Sequence, residues 1–243
     1  MSRKALIISN PGEPGAENYC EGVNKDVINY KNFLTSPQGG YWSESEIVCL
    51  KRPSFELLDI HMKSLNNIDY TMIVFCGHGY SYKDETILEL KKDCEVYANS
   101  LKNGAQKRTI ILDCCRKEAK SIDESILHEY ASRFDKRAMD GMSARKYYDE
   151  LISLCSNGVV VTYSCDLNET AGDDSRKGGY YSYSLLQSAR QWAEQSTFTK
   201  SHQSIVTAHE QASNLTKIKS NYEQHPQIEK PRSAPYFPFV VRS

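Results

Sequence analysis

The chain of 243 residues is long enough for one α/β domain with a well-buried core. Its 30 basic and 31 acidic side chains leave a net charge of -1, so no global field draws it towards nucleic acid or an anionic membrane. No run of about 18 apolar residues is present, and the apolar stretch in "MSRKALIISNPGEPG" is too short for a signal-peptide core. A cytoplasmic protein with no nucleic-acid and no membrane partner is expected.

Short runs rich in Val and Ile recur along the chain: "ALIIS" (5–9), "EIVCL" (46–50), "YTMIVFC" (70–76), "RTIILDC" (108–114) and "GVVVTYS" (158–164). None alternates cleanly with period two, as is usual for strands covered on both faces. Helix-compatible segments lie between them. "NKDVINYKNFLTS" separates the first two strands, "SFELLDIHMKSLNN" opens on a Ser cap, and "CEVYANSLKNG" ends on a glycine. "SYKDETILELKK" reads as a turn and short strand, a small hairpin beyond the third main strand. Strand alternating with helix predicts a mostly parallel sheet with helices on both faces. Residues 116 to about 142 lack strand character and read as a charged surface excursion. The helices "YYSYSLLQSARQWAEQ" and "HQSIVTAHEQASNLTKIKS" follow, and the tail ends in "FPFVV", a candidate edge strand.

Cysteine occurs eight times, at 20, 49, 76, 94, 114, 115, 155 and 165, without the clustered spacing of a disulfide framework. Free thiols are expected, several of them packed in apolar runs. Ligands of an open parallel sheet sit beyond the carboxyl ends of its strands. Two such ends carry reactive groups: "FCGHGY" after the third strand and "LDCCRK" after the fourth. If these strands are neighbours, His78 faces one cysteine of the pair, and an imidazole that takes a thiol's proton makes a nucleophile. The backbone N–H groups of Gly79 and the reactive cysteine would then form an oxyanion hole. Consecutive strand residues point to opposite faces, so only one of Cys114 and Cys115 can reach the cleft. Alternation alone leaves open which one. A zinc site built from Cys76, His78, Cys114 and Cys115 is the competing reading, set against by the divergence of adjacent cysteines and the lack of a CxxC spacing.

Taken in order, these motifs resemble the caspase-like cysteine peptidases of family C14, and among them the metacaspase and bacterial orthocaspase branch. "FCGHGY" is similar to the histidine motif, "DETILEL" to the hairpin after it and "IILDCCRKE" to the cysteine motif. "TYSCDLNETAGD" with "GGYYSYSLL" is similar to the fifth-strand and following-helix signature, and "QHPQ" with "FPFVV" to the last strand region. The resemblance implies a caspase-hemoglobinase-like three-layer α/β/α sandwich with a mostly parallel six-stranded sheet. It spans the chain as one peptidase domain: a large-subunit-like part (1–115), a processing loop (116–145) and a small-subunit-like part (146–243). It places the nucleophile at Cys115, the second residue after the aspartate, and the base at His78. A protein or peptide substrate, no required cofactor and an activating partner or possible calcium activation go with it.

Where aspartate-cleaving caspases carry Gln and Arg in the P1 pocket, this chain has Asp113 and, near the second place, Asp166. "GVNKD" adds Asp26 by resemblance to a metacaspase motif. Two or three acids favour a P1 Arg or Lys. Arg116, Lys117 and Glu118 replace the usual His-Ser-Gly after the nucleophile. Asp84, Glu85 and Asp93 are the calcium candidates, and Arg133, Lys136, Arg137 and Arg145 the candidate self-processing sites. The alternatives are a protease with acidic P1, a catalytically silent interaction module and a thiol hydrolase for small acyl or amide substrates.

Overall fold

The computed structural model describes residues 1–117, 140–195 and 200–242. β1 (Arg3–Asn10), α1 (Glu21–Thr35), β2 (Ile47–Lys51), α2 (Phe55–Ser64) and β3 (Tyr70–Gly77) come first, with the helices and strands where the apolar pattern puts them. A short antiparallel sheet of β4 (Gly79–Tyr82), β5 (Glu85–Lys91) and β6 (Cys94–Tyr97) follows, before β7 (Lys107–Asp113). The segment 94–104, expected as a helix, is instead β6 followed by a 3-10 turn over Ala98–Lys102. Pairing of Leu88 with Val96 across β5 and β6 buries both, and that tertiary contact overrides the local helical pattern.

The second half holds α3 (Gly141–Leu154), β8 (Gly158–Tyr163), the two-residue strands β9 (Asp173–Asp174) and β10 (Gly178–Gly179), and α4 (Tyr180–Glu194). It closes with β11 (Ser201–Ser204), α5 (Ile205–Lys219), β12 (Gln227–Glu229) and β13 (Pro238–Arg242). Side-chain caps fix three helix starts: Ser54 accepts from Leu57 N, Asp140 from Ser143 N and Ser204 from Thr207 N.

The central sheet has six strands in the order β12-β8-β7-β3-β1-β2, all parallel except β12. The tail strand β13, expected at the sheet edge, pairs antiparallel with β11 in a separate ribbon, and β12 takes the edge. Strand alternation splits the core in two. Ala5, Ile7, Met72, Val74 and Ile111 face α1, α3, α4 and α5, while Leu6, Ile8, Ile73, Phe75 and Leu112 face α2, the 3-10 turn and the β4–β6 sheet. The result is the three-layer sandwich. Each fully buried Leu, Ile or Phe contributes about 1.5–3 kcal/mol, so the central strands are the least replaceable part of the chain.

Arg3 ties the first strand to α3. Its guanidinium lies 3.2 Å from Asp149 and 3.6 Å from Glu46, under the Trp42 ring at 4.5 Å. Arg145 adds a second guanidinium on Glu46 at 2.5 and 2.8 Å, and the Glu46 carboxyl is held down at about 2.

Candidate active site

β3 and β7 are hydrogen-bonded neighbours, with Cys76 opposite Asp113. His78 and the two adjacent cysteines therefore leave the sheet side by side. A cleft at this edge is lined by His78, Cys115, Cys20, Asp26, Asp113 and Asp173. Cys114 borders the cleft but packs into the core beneath the β4–β6 sheet; the residue is 2 % exposed and burial pushes its thiol well up. Cys115 stays half-buried, and its sulfur accepts the N–H of Ala171 at 3.3 Å. Of the two adjacent thiols, only Cys115 is both in the cleft and reachable.

Gly79 opens β4 and is packed against the cysteine turn: a Cβ at this position would lie 3.0 Å from the sulfur of Cys114 and 2.8 Å from the carbonyl of Ile87. The imidazole of His78 also borders a second cleft on the side of Glu89, Lys91, Glu95 and Arg52. Cys76 and Cys114 belong to opposite faces of the sheet, and no cluster of three or more metal-ligating side chains forms among the described residues. The zinc reading has no geometry behind it.

The floor of the first cleft is acidic. Asp26, on the second turn of α1, and Asp113, ending β7, are both buried. Asp26 accepts the N–H of Gly179 at 3.0 and 3.2 Å, and Asp113 accepts the N–H of Ser182 at 2.9 Å. Two adjacent glycines make this possible. A Cβ on Gly178, whose φ is +110°, would meet an Asp26 oxygen at 2.0 Å, and one on Gly179 would meet an Asp113 oxygen at 2.3 Å. Burial lifts the Asp26 carboxyl well above its usual value, the neighbouring Asp113 charge lifts it further, and the Gly179 N–H opposes both. Asp113 is also raised by burial, against the hydrogen bonds it accepts from Ser182 and Ser164.

The family model for the caspase domain of peptidase family C14 matches residues 2–237. The chain belongs to this family of cysteine peptidases. Its fold is similar to that of caspase-1 from Spodoptera frugiperda, with a TM-score of 0.59 and 12% identity over 94% of this chain and 86% of that one. No curated protein matches the sequence.

Within this caspase domain Arg116, where the resemblance leads one to look for histidine, is a buried strut. Its guanidinium donates to Thr86 Oγ1 at 2.9 Å and to the Cys165 carbonyl at 3.0 Å and lies 4.2 Å over the Tyr163 ring. Its backbone exchanges hydrogen bonds of 2.9 Å with the turn at 168–169. Arg116→Ala should cost about 2–4 kcal/mol, because two buried acceptors and an aromatic face lose one donor. A urea midpoint unmoved by the substitution would show that the strut carries no load.

Asp166 corrects the sequence expectation. It is exposed, away from the cleft, where it caps a turn through Leu167 N at 2.7 Å and accepts from Gln227 at 3.1 Å. The strand ends at Tyr163 and the chain turns over Ser164–Asp166, so the side chain points along the surface. Asp173 is the acid that lines the cleft instead: it accepts from Gly22 N at 3.1 Å, and its charge helps to raise the Asp26 carboxyl. The acid pair in "GDDS" was the available signal.

Asp84 and Glu85 sit at the β4–β5 turn and Asp93 at the β5–β6 turn, at opposite ends of β5. A seven-residue strand spans about 20 Å, so these three acids cannot share one ion. Arg133, Lys136 and Arg137 lie outside the described residues. Arg145 lies on α3, paired with Glu46. Gln224 and Cys20 line the cleft and had no motif to flag them. Gln224, 1% exposed, accepts from Gly172 N at 3.1 Å and donates to the Ser164 carbonyl at 2.8 Å, holding the loop that carries Ala171. No described helix is long and apolar enough to cross a membrane.

Proposed function

We propose that the chain is a cysteine endopeptidase that cuts after Arg or Lys, with Cys115 as nucleophile and His78 as base. The observation that carries this reading is the buried Asp26–Asp113 pair in the same cleft as the one accessible thiol of the motif. His78 takes the Cys115 proton, and the sulfur attacks the carbonyl carbon of the scissile bond. The imidazolium then returns the proton to the leaving amine, and water hydrolyses the thioester. A P1 guanidinium or ammonium supplies the positive charge that the two carboxylates lack in each other, so binding the correct residue also relieves their repulsion. Asp173 supports the same preference from the cleft wall.

Self-cleavage within 116–145 belongs to this reading, with Arg133, Lys136 and Arg137 as its sites. Arg145 is the poorer site, since α3 would have to unwind and the Glu46 pair break before its bond could lie extended in a cleft.

The test is hydrolysis of matched fluorogenic peptides ending in Arg, Lys or Asp, each with calcium and with chelator. Cleavage after Arg and Lys, with Asp peptides at least about 100-fold slower, is the expected result. Preference for Asp would overturn the acidic pocket, and a folded chain inert to all peptides in both conditions would favour the silent interaction module.

A further inference from the structure

The imidazole of His78 has two ring nitrogens, and the cleft treats them differently. Nε2 lies 4.0 Å from the sulfur of Cys20, and a Cβ on Gly12 would approach it to 3.0 Å. The sulfur of Cys20 lies in turn 3.7 Å from the carbonyl oxygen of Asn18, to which it donates. That carbonyl can only accept; with the thiol proton directed to Asn18, the sulfur is able to accept from Nε2–H. Such a bond would define the tautomer. With Nε2 carrying the proton, Nδ1 presents the lone pair that receives the proton of Cys115.

Resting on the proposed dyad, we propose that Cys20 is a positioning residue of the reaction, its sulfur accepting the Nε2–H of His78 and so holding the ring with Nδ1 available to the nucleophile. Cys20 sits at the N-cap of α1, where its side chain makes no capping hydrogen bond to the helix. The same helix presents Asp26 to the P1 pocket one and a half turns later, so one rigid element orients the base and supports the specificity acid. When the imidazolium forms, the polarisable sulfur faces its second N–H, and the leaving amine receives its proton from a ring that has not turned.

The experiment compares Cys20→Ala and Cys20→Ser with the wild type, by steady-state hydrolysis of a P1 arginine peptide and by nitrogen-15 spectra of the His78 ring assigned with a His78→Gln control. Cys20→Ala is expected to lower kcat between about 10- and 100-fold with KM within about twofold, since a small misplacement of a reacting group costs that much. Cys20→Ser, which keeps a donor and an acceptor, is expected to restore most of the loss. The wild-type spectrum should show the Nε2–H tautomer, and Cys20→Ala should lose it.

An unchanged kcat, a loss confined to KM, or failure of serine to rescue a folded variant would overturn the proposal. So would turnover that survives Cys115→Ala and dies with Cys20→Ala, which would make Cys20 the nucleophile. If the wild type cleaves no peptide, the peptidase reading fails by itself, and the ring spectra still decide whether Cys20 sets the tautomer.

Discussion

Cys115→Ala is expected to reduce turnover of a P1 arginine peptide by about 10³-fold or more, while Cys114→Ala leaves kcat within about twofold. The two residues are adjacent, yet their environments are opposite. Cys114 is packed with Phe75, Leu88 and Leu112, its N–H donating to Ser164 Oγ at 3.2 Å and its carbonyl receiving the thiol of Cys165 at 3.4 Å. Burial keeps its thiol protonated, so it acts as a small hydrophobe. Removing the sulfur should cost about 1 kcal/mol of stability and no chemistry. Cys115 has its sulfur in the cleft against Ala171 N, where, on the proposed mechanism, the loss of one atom removes the covalent step. Thermal melts separate the two effects: a small drop for Cys114→Ala, and none beyond about 2 °C for Cys115→Ala. Equal losses of turnover from both variants would sink the assignment.

Asp26→Asn is expected to lower kcat/KM for the same peptide about 100-fold while making the unliganded protein more stable at neutral pH. The stability change has a definite sign. Asp26 has a raised pKa in the native state, so its contribution is fully present below the usual carboxyl value of 3.8 and is lost as pH rises through the native value. Above that point the wild type holds two like charges in a dry site, and asparagine removes one of them while keeping an oxygen for the Gly179 N–H. The melting temperature of the wild type should fall with rising pH across the window above 3.8, and that of Asp26→Asn should fall less. A parallel pH dependence in both proteins would mean that Asp26 is not the strained acid. Unchanged kcat/KM with a P1 arginine peptide would remove it from the substrate pocket.

Much of this was legible in the chain because parallel strands are marked by unbroken apolar runs. β1, β2, β3, β7 and β8 lie where "ALIIS", "EIVCL", "YTMIVFC", "RTIILDC" and "GVVVTYS" put them. The strand-end rule then brings His78 and the cysteine pair to one edge, as the pairing of β3 with β7 shows. What the pattern hid depends on contacts between distant segments. β6 replaces a helix because Val96 packs on the sheet, and β12 displaces the tail strand because its partner, Tyr163, is 64 residues away in sequence. α3 went unread because Arg3 and Glu46, which meet its polar side, come from the other half of the chain. Asp166 and Asp173 could not be ranked by position in a motif, since the course of the turn after β8 decides which of them enters the cleft.

By residue 115 a nascent chain already carries both reactive groups, and the strands that set them side by side, β2, β1, β3 and β7, all precede it. The seat for the substrate arrives later. The N–H groups that fix the two acids belong to Gly179 and Ser182, and the one that faces the Cys115 sulfur belongs to Ala171. Thiol and imidazole thus emerge from the ribosome well before the cleft beside them is complete, and on the proposed function proteolytic competence would be a property of the finished chain. The same division means that a cut between the halves would leave neither piece with a complete cleft, so any activity of a cut chain would depend on its two parts staying associated.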